Sequence, residues 1–276
     1  MQTRHLPDPV RTKILGTQEL RDAFLVENVF VPGSIELYAF DIDRGIVGGV
    51  LPTSGPLTLE APPELRATYF CERREVGIIN IGAAGKVTCD SQTFHVKNLE
   101  CVYVGRGTKK VTFESDDPAT PATFYLTSFP AHAVYPTTYA SRDKARVKNI
   151  GNQEESNKRI LNQYIHAEGI RSCQLVMGFT ELESGNVWNT QPPHTHARRC
   201  EIYFYFDLAP EARLMHFMGT PEETRHLVIA DRQVVASPAW SMHFGAGTKN
   251  YKFIWAMGGE NQAFDDMDHV PLTRLR

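Results

Sequence analysis

Residues 193–206 read PHTHARRCEIYFYF, in which two histidines stand two positions apart and a glutamate opens an alternating run of tyrosine, isoleucine and phenylalanine. In an extended segment, side chains two apart project from the same face, so His194 and His196 can both reach one ion. Glu201 lies an odd number of residues beyond His196, so a bulge or a turn must bring it back to that face. The stretch therefore predicts a β-strand that begins at a metal site.

The alternation after the glutamate divides this strand into two faces. Glu201, Tyr203 and Tyr205 share one face, and the other face is entirely apolar. We expect the two tyrosines to line the interior of a barrel, where they either fill space or contact a substrate. Tyr203 and Tyr205 are therefore candidates for catalysis.

A later histidine, His243, supplies a fourth candidate ligand after the segment Pro238–Met242. Three imidazoles and one carboxylate suit a divalent first-row metal that keeps coordination positions open for water or substrate. Zinc, iron, manganese, cobalt and nickel are all chemically compatible with this donor set. The predicted metal ligands are His194, His196, Glu201 and His243.

The rest of the chain has the texture of an all-β protein. From Phe30 onward, short runs rich in valine, isoleucine, tyrosine, phenylalanine and threonine alternate with Pro-Gly, Gly-Gly and Ser-Gly-Pro turns. Such runs predict a sandwich or a barrel. Residues 1–16 read as an arm, and Thr17 is placed to cap a short helix that continues to about Val26.

A charged, hydrophilic segment, Ser141–Lys148, separates two halves of nearly equal length. It is expected to be a solvated linker. We therefore predict an N-terminal domain at residues 1–140, which includes the arm, and a C-terminal domain at residues 141–276.

The two halves also share short motifs in the same order. The matching pairs are Arg73 and Glu75 with Arg199 and Glu201, Asp90–Gln92 with Asp231–Gln233, and Gly105–Lys109 with Gly245–Lys249. A duplicated β-barrel explains them. In this alignment the first half keeps the glutamate but has Tyr103 in place of His243, so only the second half is expected to hold metal.

Composition excludes several classes of function. The formal net charge of the 276 residues is -3, which provides no basic field for nucleic acid. No apolar run is long enough for a membrane helix, and residues 1–10 lack the apolar core of a signal peptide. The five cysteines show no Cys-x-x-Cys spacing, which favours a reducing compartment. We expect a cytoplasmic protein.

Weaker candidates surround the metal site in the sequence. Arg198 lies between the ligands and can clamp a carboxylate bidentately. Arg225 and His226 end an excursion, residues 208–226, that can cover a pocket. The acidic tail Glu260–His269 is expected to be solvated surface, with the alternative that an amide or a base reaches back into the barrel. The substrate-binding candidates are Arg198, Arg225 and Gln262, and the catalytic candidates are Tyr203, Tyr205 and His226.

The arrangement His-x-His, then glutamate, then Pro-x-Trp-x-x-His resembles the two metal-binding motifs of the cupin superfamily. Longer strings are similar to those of the 5-keto-4-deoxyuronate isomerase family. These strings are Glu72–Glu75, Ile79–Gly82, Gly185–Thr190, His194–His196, Glu201–Phe206, Glu223–His226 and Gly259–His269. The resemblance runs from about Thr17 to the carboxyl terminus.

The resemblance implies a bicupin of two jelly-roll-like barrels, generally hexameric, with one Zn²⁺ per subunit on the four predicted ligands. It implies a small-molecule keto-uronate substrate and the interconversion of 5-dehydro-4-deoxy-D-glucuronate and 3-deoxy-D-glycero-2,5-hexodiulosonate in the degradation of pectin. It does not identify the general base. Two other classes remain open for a cupin with these ligands, an iron-dependent dioxygenase and a non-catalytic sugar-acid-binding protein.

Overall fold

The computed structural model describes residues 1–263 and 265–276; Phe264, in the string Gly259–His269, lies outside the described residues. Internal contacts divide the chain into two compact units. The first unit comprises Met1–Thr3, Val29–Ala145 and Tyr164–Met177, and the second comprises Arg4–Asn28, Arg146–Gln163 and Gly178–Arg276. Most of the N-terminal arm, from Arg4 onward, thus clusters with the second unit, while Met1–Thr3 cluster with the first. The division into domains at residues 140 and 141 stays a prediction.

The strands dominate the chain, which confirms the mainly β prediction. Those up to residue 140 are β1 (Gln2–Arg4), β2 (Leu25–Val26), β3 (Ile35–Phe40), β4 (Ile46–Val50), β5 (Leu57–Thr58), β6 (Arg74–Asn80), β7 (Gly85–Cys89), β8 (Gln92–Val96), β9 (Cys101–Val104), β10 (Val111–Ser115), β11 (Phe124–Pro130) and β12 (Thr138–Ala140). Those that follow are β13 (Arg146–Ile150), β14 (Arg159–Ile165), β15 (Val176–Leu182), β16 (Trp188–Thr195), β17 (Arg199–Phe206), β18 (Leu214–Thr220), β19 (Glu223–Ile229), β20 (Gln233–Ser237), β21 (His243–Gly247), β22 (Lys252–Gly259) and β23 (Asp268–His269).

The α-helices lie near the amino terminus. Helix α1 (Pro9–Thr12) is capped by Asp8, whose carboxylate accepts hydrogen bonds from the backbone of residues 10 and 11. Helix α2 (Thr17–Phe24) begins at Thr17, so the prediction that Thr17 is its N-cap is wrong. Gly16 is the N-cap, and its N–H donates to Glu19 Oε2 at 2.9 Å. Short 3₁₀ helices span Ile42–Arg44, Pro63–Leu65, Phe70–Glu72, Arg142–Lys144 and Leu272–Arg274. No helix within the described residues has the length and apolarity needed to cross a bilayer.

The first unit contains a seven-stranded sheet with the order β1-β3-β4-β11-β6-β9-β12 and a four-stranded sheet with the order β5-β10-β7-β8. Both sheets contribute apolar side chains to one core, including Val76 and Phe124 from the larger sheet and Val87 and Phe113 from the smaller one. Face-to-face packing of two antiparallel sheets through alternate residues is the arrangement expected of a sandwich or a barrel.

The second unit contains a seven-stranded sheet, β13-β14-β15-β22-β17-β20-β2, and a five-stranded sheet, β19-β18-β21-β16-β23. The central pair, β17 and β22, is antiparallel and in register from Arg199 opposite Gly259 to Phe206 opposite Lys252. Every residue of β17 is buried. The predicted polar and apolar faces of this strand therefore both lie inside protein.

The strand orders of the two units correspond. The series β3-β4-β11-β6-β9 in the first unit matches β14-β15-β22-β17-β20 in the second, and β5-β10-β7-β8 matches β16-β21-β18-β19. Glu75 on β6 and Glu201 on β17 are thus equivalent, as predicted. The other two motif pairs are out of register by one connection, since residues 90–92 join β7 to β8 whereas residues 231–233 lead from β19 to β20.

The predicted equivalence of Tyr103 and His243 is therefore wrong, because Tyr103 lies on β9 and His243 begins β21. The cause is turn chemistry. Asp90 and Arg232 both adopt a positive φ, and sharp connections between strands select similar polar and glycine-rich letters wherever they occur. Short turn motifs therefore indicate that a turn is present, but they do not show which two strands it connects.

Glu75 nevertheless contacts Tyr103. The tyrosine hydroxyl donates to Glu75 Oε2 at 2.7 Å, and the backbone N–H groups of residues 173–175 donate to the two carboxylate oxygens at 2.7 to 2.8 Å. The Glu75 side chain is fully buried. In the first unit, the position equivalent to Glu201 therefore holds a carboxylate that accepts four hydrogen bonds and fixes the loop at residues 173–175.

Candidate active site

A change of sheet brings the predicted ligands of the second unit together. Strand β16 ends at Thr195, a turn at residues 197 and 198 follows, and β17 begins in the other sheet at Arg199. This turn returns Glu201 to the side of His194 and His196, so the turn alternative of the prediction is the one observed. His243 begins β21, which pairs with β16, and its Cα lies opposite that of His194.

The four side chains converge through one atom each. Nε2 of His194 lies 3.1 Å from Nε2 of His196 and 3.2 Å from Nε2 of His243. Glu201 Oε2 lies 2.9 Å from Nε2 of both His196 and His243. All four residues are buried, with 1 to 7% of their surface exposed.

The other ring nitrogens are held by the surrounding protein. His196 Nδ1 donates to the carbonyl oxygen of Asp266 at 2.7 Å. His243 Nδ1 lies 3.0 Å from Ser237 Oγ and 3.3 Å from the carbonyl oxygen of Ser241, and His194 bonds the backbone of Pro192. These bonds place the protons on Nδ1, which turns the three Nε2 lone pairs toward Glu201.

This arrangement fits a metal ion. Three lone pairs and a carboxylate oxygen that face one another repel unless a cation lies among them. For metal–nitrogen bonds of about 2.0 to 2.1 Å, neighbouring ligand atoms in tetrahedral or octahedral geometry are about 2.8 to 3.4 Å apart. The observed separations fall in that range. Among the described residues, this is the one group of three or more candidate ligands that could hold a metal.

The electrostatics of the group agree with this role. Burial, followed by electrostatic repulsion from the neighbouring His243 imidazole, lowers the pKa of His194 to about 2, so the His194 imidazole is neutral at pH 7. Burial alone would raise the pKa of Glu201, but His243 and His196 together hold it well below its usual value. Neutral imidazoles and an ionised carboxylate are the protonation states that bind a metal.

The group lies at the wall of a cavity of about 210 Å³. Alternate residues of the seven-stranded sheet form one side of the cavity, including Arg159 and Leu161 on β14 and Trp255 and Met257 on β22. Residues 190–192 on β16 form part of the other side. The four candidate ligands, His194, His196, Glu201 and His243, are called the metal group below. This group is therefore open to a small molecule on the inner face of the second unit.

The carboxyl-terminal tail completes this cavity. Strand β23 pairs with β16, which places His269 opposite His194, and Met267 and His269 both line the cavity. Arg199, which is 1% exposed, donates to the carbonyl oxygens of residues 263 and 266 and so holds the tail in place. The described tail residues 260, 263, 265, 268 and 269 are exposed, in line with the expectation of solvated surface. Strand pairing and a buried arginine also draw part of the tail back to the barrel, which was the alternative.

The two predicted tyrosines lie in different surroundings. Tyr203 lines the cavity, and its hydroxyl lies 3.4 Å from Thr190 Oγ1. Burial, followed by the charge of Glu201, raises the pKa of Tyr203 well above its usual value, so the hydroxyl keeps its proton. The hydroxyl of Tyr205 lies 2.7 Å from His216 Nδ1 and is not part of the cavity lining.

The other sequence candidates do not line the cavity. Arg198 donates from Nε to both carboxylate oxygens of Asp266 at 2.9 Å. Arg225 donates to the carbonyl oxygens of residues 13 and 15, and His226 is exposed on β19. Gln262 is half-buried in the tail. Their proposed roles in binding and catalysis stay predictions, and the contacts of both arginines are structural.

Ser237→Ala is expected to weaken metal binding about 10-fold, because Ser237 Oγ helps to hold the His243 ring and fix its proton on Nδ1. Competition with a chelator for the bound metal measures the effect. Ser91→Ala, in an exposed turn, is the matched control. Equal metal affinity in the two variants would show that the Ser237 hydroxyl does not orient His243.

Comparison with known proteins places the chain in a family. A family model described as "KduI/IolB family" matches residues 38–272. The chain belongs to the KduI/IolB family. The 4-deoxy-L-threo-5-hexosulose-uronate ketol-isomerase of Opitutus terrae is 50% identical over 277 residues, which cover all of both chains.

Solved structures related to this KduI/IolB chain have the cupin fold. An IolB-like protein from Salmonella typhimurium superposes with a TM-score of 0.74 at 14% identity, covering 90% of this chain and 96% of that one. The oxalate decarboxylase of Bacillus subtilis, a protein with Mn(II) centres, gives a TM-score of 0.54 at 12% identity, covering 86% of this chain and 79% of the other. At these identities the likeness shows the fold alone.

Sequence reasoning did not single out Arg159 in this KduI/IolB chain, and it included His269 only as the end of the tail Glu260–His269. Arg159 stands at the start of a strand in which residues 159, 161 and 163 share a face. That alternation was visible in the sequence, but nothing local shows that this face lines the cavity. His269 reaches the cavity only through the pairing of β23 with β16.

Proposed function

We propose that this protein is a metal-dependent ketol-isomerase that acts on 4-deoxy-L-threo-5-hexosulose uronate and forms 3-deoxy-D-glycero-2,5-hexodiulosonate. The observation that carries the proposal is the 50% identity, over the whole chain, to a relative of that name. The buried group of three imidazoles and one carboxylate beside a cavity supports it.

We propose that His194, His196, Glu201 and His243 hold one Zn²⁺ per subunit. The bound ion would polarise the substrate carbonyl and stabilise the negative charge that develops on the neighbouring oxygens during proton transfer. Glu201 acts as a ligand rather than as a base, because its carboxylate oxygen faces two imidazoles at 2.9 Å. Zinc suits this donor set, and its content in the purified protein tests the choice.

The reaction moves one proton between neighbouring carbons and one between their oxygens. The first proton leaves the carbon that bears the hydroxyl, a base holds it, and it returns to the former carbonyl carbon. The hydroxyl proton passes to the former carbonyl oxygen, so the old carbonyl becomes a hydroxyl and the old hydroxyl becomes the new carbonyl. General acid–base groups supply about 10²- to 10⁴-fold in such steps. We propose that they come from the polar residues of the cavity lining, with the protonated hydroxyl of Tyr203 as an acid and His269 added to the candidates.

Zinc-loaded protein is expected to convert the uronate to its isomer, as followed directly by NMR. In deuterated water, one deuterium is expected at the former carbonyl carbon, since the base exchanges its proton with solvent. Conversion without deuterium would instead indicate direct hydride migration between the two carbons.

Two results would contradict the proposal. Oxygen consumption by the ferrous protein without isomerisation would indicate a dioxygenase. Binding of the uronate without turnover by the zinc protein would indicate a sugar-acid-binding protein.

We propose a cytoplasmic homo-oligomer, and specifically a hexamer, as the resemblance of the sequence implies. The five free cysteines are compatible with a reducing compartment. Light scattering of the purified protein measures the subunit number.

A further inference from the structure

We propose that Arg159 binds the carboxylate of the substrate and thereby selects uronates over uncharged sugars. The inference rests on the proposed function, because it assigns the group that recognises the acidic end of that substrate. Arg159 begins β14 and lines the same cavity as His194, His196 and Glu201.

The surroundings of Arg159 are unusual for a buried cation. The residue is 8% exposed, and its guanidinium donates one hydrogen bond, from Nη1 to the carbonyl oxygen of Asn157 at 2.8 Å. No carboxylate of the described residues pairs with it. A guanidinium has five N–H donors, and a buried charge without a counter-ion is unfavourable unless an anion joins it. The fold therefore leaves donors for an anion from outside the protein.

Among the residues that the structure describes, no other one lining this cavity is an arginine or a lysine. The arginines that stand nearest the ligands in the sequence serve elsewhere, since Arg198 pairs with Asp266 and Arg199 holds the carbonyl oxygens of the tail. Apart from the metal group and the imidazole of His269, the remaining lining is uncharged, with Leu161, Trp255 and Met257 as examples. A carboxylate inside the cavity can therefore bind one guanidinium, that of Arg159.

The chemistry of a uronate matches this division. Its reacting carbonyl and hydroxyl belong at one end, beside the metal group, and its carboxylate belongs at the other. A planar guanidinium binds a carboxylate through two parallel hydrogen bonds, which fixes both position and orientation. Burial lowers the pKa of Arg159, opposed by Tyr251 and Tyr203, and the group stays cationic at neutral pH. Two anchors at opposite ends would align an open-chain sugar acid in the cavity.

The test compares the uronate with its methyl ester, which removes the charge and keeps the reacting end. Wild-type zinc protein is expected to favour the acid by at least about 10-fold in kcat/KM. Arg159→Gln is expected to lower kcat/KM for the acid about 10- to 100-fold, mainly through KM, and to change the value for the ester less than about 2-fold. Arg159→Lys keeps the charge but lacks the planar guanidinium. Its kcat/KM for the acid is expected to lie between those of wild type and Arg159→Gln.

The control variant is Arg213→Gln, an exposed arginine whose Nη1 also donates to local carbonyl oxygens. It is expected to behave as wild type toward both compounds. Zinc content and circular dichroism should be equal in all variants, since Arg159 is not among the metal ligands. If Arg159→Gln does not fold, the comparison of acid with ester in Arg159→Lys decides.

If Arg159→Gln lowers kcat/KM equally for the acid and the ester, or does not lower it for the acid, the inference is overturned in favour of a structural role for Arg159. If the wild type converts neither compound, the proposed function fails, and calorimetry then tests the inference by itself. In that case selective binding of the acid by wild type, lost in Arg159→Gln, supports Arg159 as the carboxylate-binding residue. Equal binding of acid and ester by wild type rejects it.

Discussion

Replacement of His243 by alanine is expected to remove the bound metal and to lower kcat/KM for isomerisation by more than about 100-fold. Loss of a contact that only orients a metal ligand already lowers metal affinity or activity about 10- to 100-fold, so loss of the ligand itself should have a larger effect. His243 Nε2 lies within 3.2 Å of both His194 Nε2 and Glu201 Oε2, and its removal opens one side of the group. Elemental analysis and the NMR assay measure the two losses in the same sample.

The control for this variant is His95→Ala, which removes an exposed histidine from β8 in the other unit. It should keep metal and activity. The circular dichroism of His243→Ala should resemble that of wild type, because strand pairing rather than the ion holds β21 in its sheet. Retained zinc together with full turnover would exclude the assigned ligand set.

Glu75→Ala is expected to destabilise the protein by about 4 kcal/mol while leaving its metal content unchanged. The substitution leaves the buried N–H of Leu175, the buried Tyr103 hydroxyl and the partly buried N–H groups of Cys173 and Gln174 without their acceptor. Each unsatisfied buried group costs about 1 to 3 kcal/mol, and the partly buried groups cost less because water can reach them. Urea unfolding followed by circular dichroism measures the change in free energy.

Two comparisons define this effect. Tyr103→Phe removes one of the four hydrogen bonds and should cost about 1 kcal/mol. Glu114→Ala, at an exposed position of β10 in the same unit, should change the free energy of unfolding by less than about 0.5 kcal/mol. A Glu75→Ala protein as stable as Glu114→Ala would show that the carboxylate does not hold the loop at residues 173–175.

Three of the four candidate metal ligands could be predicted because the information for them is local. Two histidines two apart and a glutamate after a turn define their geometry through strand alternation alone. His243 was predicted from the chemistry of the donor set and joins the others through the pairing of β21 with β16. The mainly β architecture followed from the same kind of short-range pattern. These features depend on neighbours in the chain, which a sequence displays directly.

The cavity wall could not be predicted in this way. His269 reaches the site through the pairing of β23 with β16, and Arg159 through the pairing of β15, the neighbour of its own strand β14, with the distant β22. Periodicity does not reveal which strands pair. Arg198 and Arg225 were predicted to bind the substrate because they lie near the candidate ligands in the sequence. In the fold, Arg198 instead donates to Asp266, and Arg225 donates to the backbone of residues 13 and 15.

The return of the tail to β16 makes the four candidate ligands dependent on a distant segment. The ligands lie between residues 194 and 243, but the carbonyl oxygen that orients His196 belongs to residue 266, and β23 ends at residue 269. A protease that trimmed the chain before residue 266 would therefore leave all four ligands in place and remove the acceptor that fixes the proton on His196 Nδ1.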